Sequence, residues 1–399
     1  MKITVAEWLH WPETKAIIKA FGEAPVRFVG GAVRDCLLDI SVNDVDLATA
    51  LPPEKVSELL SAAGIKVFPT GIAHGTVTAV VAGRNFEITT LRRDVSTDGR
   101  RAVVAYTDDW REDASRRDFT MNALYCDARG EITDYFGGVE DAKSGRVRFI
   151  GDPAERINED ALRILRFFRF TARYGKSEMD KDALAACRAQ AAKIDTLSGE
   201  RIQQEMFKLL VADKSADVIF VMQEQGILRH VIPAEIAITA LKQLPGILNK
   251  ADVKPDPILA LVLLLRSSSG NFAEAISTRW KLSRAHSRLL SDLCASRINI
   301  TGDEFALKKQ IRACGKALFI LQAIAATAEG EDGLPAVKLA QGWNIPMFPL
   351  TGGDLLELGM RSGKEMGLLL ARLETQWEDA YYRPGKKELI EMAIKKPAG

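Results

Sequence analysis

The sequence predicts an α+β head followed by helices to the C terminus. Two observations carry this: short apolar strands broken by glycine turns over residues 1–140, and a switch to three- and four-residue apolar spacing from Pro153 onward. The chain has 399 residues, is 47% hydrophobic and carries a net charge of +1, so it is long enough for two or more folded domains. No global positive field draws it to nucleic acid. Any such surface must come from local arginine clusters, which occur between Arg92 and Arg117 and again between Arg156 and Arg173.

In the head, Gly30-Gly31-Ala32-Val33-Arg34-Asp35 closes a short apolar strand and Asp44-Val45-Asp46-Leu47 follows. A strand sends residues i and i+2 to one face, so Asp44 and Asp46 project together while Val45 and Leu47 turn inward. Two such carboxylates suit Mg²⁺, which binds through one or two carboxylates plus substrate phosphates, and the glycine pair lets a triphosphate approach the backbone. Residues 75–81 and 86–91 read as a hairpin joined across Gly83-Arg84-Asn85. Glu87 alternates with Phe86 and Ile88 there, as a third carboxylate for the Asp44 and Asp46 face. Residues 93–115, dense in both charge signs, read as a long functional loop. Arg116-Arg117-Asp118-Phe119-Thr120-Met121-Asn122-Ala123 comes next.

Beyond the head, Asn158 to Phe170 reads as the start of a long helix with Asp160 and Arg163 at i and i+3 on one face. Arg166 and Arg169 continue a basic strip, and Leu165 and Phe168 pack behind it. Cytosine and adenine both present an exocyclic amine beside an unprotonated ring nitrogen, whereas uracil and guanine reverse that order. A carboxylate accepting from the amine and a guanidinium donating to the ring nitrogen therefore accept C and A and refuse U and G. Helical spacing recurs in Ile202, Met206, Leu209 and Leu210 and in Leu355, Leu356 and Met360. Turn compositions at Gly137-Gly138, Pro255 to Pro257, residues 267–270 and Thr351 to Gly353 are plausible joints.

The five cysteines and four histidines are dispersed without metal-ligand spacing, so a zinc site and a histidine-based phosphohydrolase lose their usual signature. The N terminus lacks a signal core and the longest apolar run, Ile258 to Leu265, is too short for a bilayer. A cytoplasmic protein with reduced thiols is expected, with no membrane and no stable protein partner implied.

Taken in order, GGAVRD, DVD, FEITTLRRD, RRDFTMNA, DYFGG, EDALRILRFFRF and LSGERIQQEMFKLL resemble the class II tRNA nucleotidyltransferases, meaning CCA-adding enzymes and their bacterial poly(A) polymerase relatives. The resemblance implies a nucleotidyltransferase-type head (residues 1–140), a base-reading neck (141–210), a helical body (211–280) and a tRNA-binding tail (281–399). It implies Mg²⁺ on Asp44 and Asp46, with Glu87 as the further catalytic carboxylate. The nucleotide-binding candidates are Gly30, Gly31, Arg34, Arg117, Asp118, Asn122, Asp160, Arg163, Arg166 and Arg169. The implied reaction is metal-assisted in-line attack of the tRNA 3′ hydroxyl on CTP or ATP, releasing pyrophosphate without a covalent enzyme intermediate. A poly(A) polymerase, an A-adding partner enzyme and a non-catalytic RNA-binding scaffold remain open. Intact Asp44, Asp46 and Glu87 argue against the scaffold.

Overall fold

The computed structural model describes residues 2–3, 6–72, 75–98, 101–234, 236–266, 272–295 and 297–394. The chain divides into two compact units, one of residues 1–238 with 268–284 and the other of residues 239–267 with 285–399.

The first unit opens with α1 (Glu7–His10) and α2 (Pro12–Phe21), then β1 (Val26–Val29), α3 (Gly31–Leu37), β2 (Val45–Thr49), α4 (Pro53–Ala62), β3 (Lys66–Gly71), β4 (Thr76–Val81) and β5 (Arg84–Thr90). After β6 (Arg92–Asp98), β7 (Arg101–Tyr106) and α5 (Trp110–Ser115), the sheet is completed by β8 (Leu124–Cys126) and β9 (Ile132–Asp134), and α6 (Gly138–Ser144) follows. Seven strands form one sheet in the order β3-β4-β5-β2-β1-β8-β9, antiparallel except for the parallel pair β2 and β5. Alternation decides which side chains enter the core. Val45 and Leu47 of β2 and Phe86 and Ile88 of β5 are buried under Trp8, Ile17 and Leu60, leaving Asp46 and Glu87 on the opposite face.

Two expected connections differ. The β4–β5 turn is Ala82-Gly83, both with positive φ (48° and 82°), and β5 resumes at Arg84; such a two-residue turn matches the twist of paired strands. The expected loop over 93–115 is instead a two-stranded ribbon, β6 paired with β7, followed by α5. Its helix is set by tertiary contact. Trp110 packs edge-on against buried Tyr125 at 5.2 Å and Ala114 is fully buried one turn on, while Asp109 caps the first turn by accepting from Arg111 N.

Helices then take over with α7 (Pro153–Glu159), α8 (Leu162–Tyr174), α9 (Lys181–Ala189), α10 (Gly199–Leu210) and α11 (Ser215–Glu224). In α8 Ile164, Leu165, Phe167 and Phe168 are buried, and the spacing expected for Ile202, Met206, Leu209 and Leu210 is that of the buried face of α10. Two helices of the second unit, α12 (Thr239–Ala251) and α13 (Pro257–Leu265), precede α14 (Phe272–Arg279), which belongs to the first unit; there Trp280 is fully buried and donates Nε1 to Val231 O at 3.0 Å.

The second unit continues with α15 (Arg284–Ala295), α16 (Glu304–Cys314), α17 (Lys316–Ala328), α18 (Leu334–Gly342), α19 (Gly352–Glu357), α20 (Lys364–Asp379) and α21 (Lys386–Ile394). The apolar run Ile258 to Leu265 is a buried core helix, and among the described residues no helix is long and apolar enough to cross a membrane. The expected stripe Leu355, Leu356, Met360 holds only in part. Thr351 caps α19 in a capping box, the helix stops at Glu357, Leu355 is buried and Leu356 is half exposed.

Candidate active site

Backbone conformation places the first wall of the cleft. Gly30 has φ +68° between β1 and α3, a region that L side chains avoid, and its N–H donates to Leu124 O at 3.0 Å. Gly31 then opens α3 and sets Arg34 one turn into it. Arg34 is almost wholly buried: Nε donates to Asp35, Nη1 to Asn122 Oδ1 and Nη2 to Tyr174 OH at 2.7 Å.

The second wall is carboxylate. Asp46 and Glu87 are register partners on the parallel strands β2 and β5, and Asp44 lies one residue before β2; all three are exposed. Although Asp46 keeps contact with solvent, the surrounding protein desolvates it. This, with the charges of Glu87 and Asp44, pushes its pKa up to about 6 against the pull of Arg117. Such mutual repulsion is what a divalent cation relieves, and hard oxygen donors suit Mg²⁺. Among the described residues no three His, Cys, Asp or Glu side chains form a ready metal cage. The donor set therefore fits an ion that takes its remaining ligands from phosphate and water.

Arginines line the rest. A cleft of about 520 Å³ is bounded by Gly30, Gly31, Arg34, Asp46, Arg92, Arg116, Arg117, Asp118, Asn122, Asp160, Arg163, Arg166, Phe170 and Arg201, with Val29 and Leu162. Seven arginines against three carboxylates make this wall suited to a polyanion. Carboxylates fix these guanidinium groups, some from behind the cleft wall and some within it. Asp113, 1% exposed, binds Arg116 (Nε, 2.9 Å) and Arg117 (Nη2, 3.0 Å) and accepts from Tyr125 OH at 2.6 Å. Burial works to raise the Asp113 pKa, but the two guanidinium groups prevail and hold it down at about 2. Asp118 accepts from Asn122 Nδ2 at 3.0 Å and from Arg166 Nε at 2.7 Å; it is buried, yet Arg166 keeps its pKa below the usual carboxylate range. Glu205 on α10 bridges Arg166 (3.7 Å) and Arg169 (2.5 Å). A polar chain from Arg34 through Asn122, Asp118 and Arg166 to Glu205 thus ties α8 to the head.

Of the expected residues, the structure gathers Gly30, Gly31, Arg34, Asp46, Arg117, Asp118, Asn122, Asp160, Arg163 and Arg166 around one cleft. Asp44 and Glu87 sit beside Asp46 without lining it, and Arg169 stands behind, paired with Glu205. One geometric expectation is corrected. Asp160 does not share a helix face with Arg163: it is extended (φ −155°, ψ 107°) between α7 and α8, where Oδ1 accepts from Leu162 N at 3.1 Å. Aspartate competes for backbone N–H groups in this way and breaks the helix. Its Oδ2 pairs with Arg201 at 2.6 Å, while Arg163 pairs with Glu159 and donates Nη1 to Arg156 O at 2.8 Å. Arg92, Arg116, Phe170 and Arg201 were not among the expected site residues. The arginine clustering between Arg92 and Arg117 signalled two of them; nothing local signalled Arg201.

A family described as the Poly A polymerase head domain matches residues 26–148, and another, described as the probable RNA and SrmB-binding site of polymerase A, matches residues 178–237. The chain is 35% identical over 384 residues to the CCA tRNA nucleotidyltransferase 1, mitochondrial, of Mus musculus, covering 92% of this chain and 85% of that protein. It is 31% identical over 353 residues to a CCA-adding enzyme of Lactobacillus helveticus, with 87% of each covered. Among solved structures, that of the Bacillus stearothermophilus CCA-adding enzyme in complex with CTP superposes with a TM-score of 0.74 at 26% identity, over 96% of each chain.

Proposed function

The chain belongs to the CCA-adding tRNA nucleotidyltransferase family, and from this premise we propose that its arginine-lined cleft adds C, C and A to the 3′ end of tRNA from CTP and ATP, releasing pyrophosphate. The observation that carries the reading is one cleft joining Asp46, the edge of the carboxylate face, with a glycine turn and seven arginines. Asp44 and Asp46 would hold Mg²⁺, with Glu87 beside them; the ion, when bound, supplies charge neutralisation at the phosphates and a more acidic attacking hydroxyl. The chain's own part is positioning. Arg116 and Arg117, fixed by Asp113, and Arg166, fixed by Asp118, offer oriented donors to a triphosphate whose departing pyrophosphate gathers negative charge. Gly30 and Gly31 let the nucleotide approach the backbone beside them.

Base choice rests on Asp160 and Arg163. Because neither is spent on the other, both keep capacity for a base: a carboxylate accepts about four hydrogen bonds, and Arg201 and Leu162 N take one each. Arg163 Nε has no hydrogen-bond partner among the described residues. Asp160→Ala is expected to weaken C and A together and relax rejection of U, by about 1 to 3 kcal/mol in discrimination. Arg163→Ala should cost more overall activity. The measurement is kcat/KM for all four nucleotides on tRNA lacking its last three nucleotides and on tRNA lacking only the terminal A. Equal loss for all four nucleotides in both variants would reduce the pair to a structural role.

The division of labour follows from the same reading: residues 1–140 carry chemistry, 141–210 base choice, 211–280 a helical body and 281–399 tRNA affinity. No disulfide joins any of the five cysteines, which supports a reducing, cytoplasmic setting. Incubating the protein with a tRNA transcript lacking its end, with CTP, with ATP and with both, tests the function directly. Products ending in CCA only when both are present support it; an extended A tail would assign a poly(A) polymerase instead.

A further inference from the structure

The second unit has a hollow of its own, of about 480 Å³, lined by Phe305, Lys308, Trp343, Tyr381, Tyr382 and Arg383 among others. Its construction is unusual at the end of α20. After Ala380 caps the helix, Tyr382 N donates back to Trp377 O at 2.9 Å, the closing bond of a Schellman motif. The residue that such a motif places in the left-handed region is ordinarily glycine. Here it is Tyr381 (φ 59°), and Tyr382 follows with φ 61°. Two bulky residues in succession at positive φ are a strained arrangement, and strain of this kind collects where function holds it in place.

What the strain achieves is an aromatic platform. Tyr381 stacks on Phe305 with ring centroids 4.0 Å apart at 26°, while remaining 57% exposed. Tyr382 turns against Trp343 at 5.6 Å and Trp377 at 5.1 Å, and its hydroxyl is buried without a hydrogen-bond partner among the described residues. Two cations and one carboxylate, Glu304, line the hollow. Lys308 lies 5.6 Å from the Trp343 ring, already paired with Glu304, and Arg383 lies 5.8 Å from the Tyr381 ring and makes no ion pair among the described residues. An open aromatic face beside a free guanidinium complements a planar group attached to an anionic backbone.

We propose that this hollow receives an unstacked nucleobase of the RNA substrate, stacked on Tyr381, with Arg383 on the adjoining phosphate. The inference rests on the reading of the protein as an RNA nucleotidyltransferase and adds a base-capturing site in the other unit. Stacking on an aromatic side chain is worth about 1–3 kcal/mol per base, or roughly 5- to 150-fold in Kd.

The test uses the full-length chain and a tRNA transcript lacking its last three nucleotides. Tyr381→Gly removes the ring and relieves the left-handed strain. It is expected to raise Tm yet weaken tRNA binding by a factor in that range, a combination that damaged folding cannot produce. Tyr381→Phe should bind like wild type, Arg383→Ala should weaken binding with a shallower salt dependence, and CTP affinity should stay unchanged in all three. Ultraviolet crosslinking to tRNA should recover peptides containing Phe305 or Tyr381. If Tyr381→Gly and Arg383→Ala both bind tRNA within about twofold of wild type, a margin well under the stacking range, the inference fails while the enzyme assignment stands. If Tyr381→Gly instead abolishes a dimer and leaves tRNA affinity intact, the face belongs to a second copy of the chain and the inference also fails. A wild-type protein that adds no nucleotide to tRNA would overturn the assignment, and this site with it.

Discussion

Asp46→Ala and Asp44→Ala are each expected to abolish nucleotide addition while leaving the fold and tRNA affinity nearly intact. Both side chains are exposed, Asp46 on the face of β2 away from Val45 and Leu47 and Asp44 just before that strand, so their removal opens no cavity. Asp46 is destabilised by its surroundings, by desolvation first and then by Glu87 and Asp44, so Asp46→Ala should leave Tm unchanged or slightly higher. Activity should respond in the opposite direction. If these carboxylates hold the metal, several kcal/mol of transition-state stabilisation leave with them, a rate loss of about 10³-fold or more. Single-turnover addition of C to truncated tRNA, with tRNA Kd and Tm measured on the same preparations, separates the effects. Activity above about 1% of wild type in either variant, under 3 kcal/mol by transition-state arithmetic, would remove the metal assignment.

Asp113→Asn should produce the largest loss of stability. Asp113 is 1% exposed and answers the charges of Arg116 and Arg117, which are themselves 15% and 19% exposed. Removing one partner of a buried ion pair costs about 3–5 kcal/mol, because the others keep their charge without compensation. At roughly 2–4 °C per kcal/mol in a domain of this size, Tm should fall by about 10 °C. The pH dependence has a definite sign. The folded carboxyl titrates at about 2, below its ordinary 3.8, so its contribution is complete above pH 4 and is lost as pH falls from there toward 2. Wild type and Asp113→Asn should therefore converge in stability on acidification through that window. A gap that stays constant down to pH 2 would show that the variant acts through packing. Since Arg116 and Arg117 line the cleft, the variant should also raise the KM for CTP.

Much of this site was legible because its parts obey local rules. Asp46 and Glu87 face away from the core because Val45, Leu47, Phe86 and Ile88 must face toward it, and a two-residue period admits no other arrangement. Gly30 bends where only glycine bends cheaply, and the helical spacing of Ile202, Met206 and Leu209 buried one face of α10 as expected. The ribbon and α5 were not legible in the same way. Trp110 and Ala114 make a helix only because Tyr125, from a strand later in the chain, is there to receive them, and that contact turned an apparent loop into the clamp that places Asp113 under Arg116 and Arg117.

Residue types, faces and the inventory of charge follow from sequence, since backbone geometry and solvent act on each short segment alone. Pairing does not, because an ion pair is settled by which elements pack together. That Asp46 meets Glu87 required β2 to pair with β5 across two intervening strands, and that Asp160 meets Arg201 rather than Arg163 required α10 to pack beside the break before α8. Spacing supplied the donors and acceptors; only tertiary packing decided which of them are already satisfied and which remain for a nucleotide.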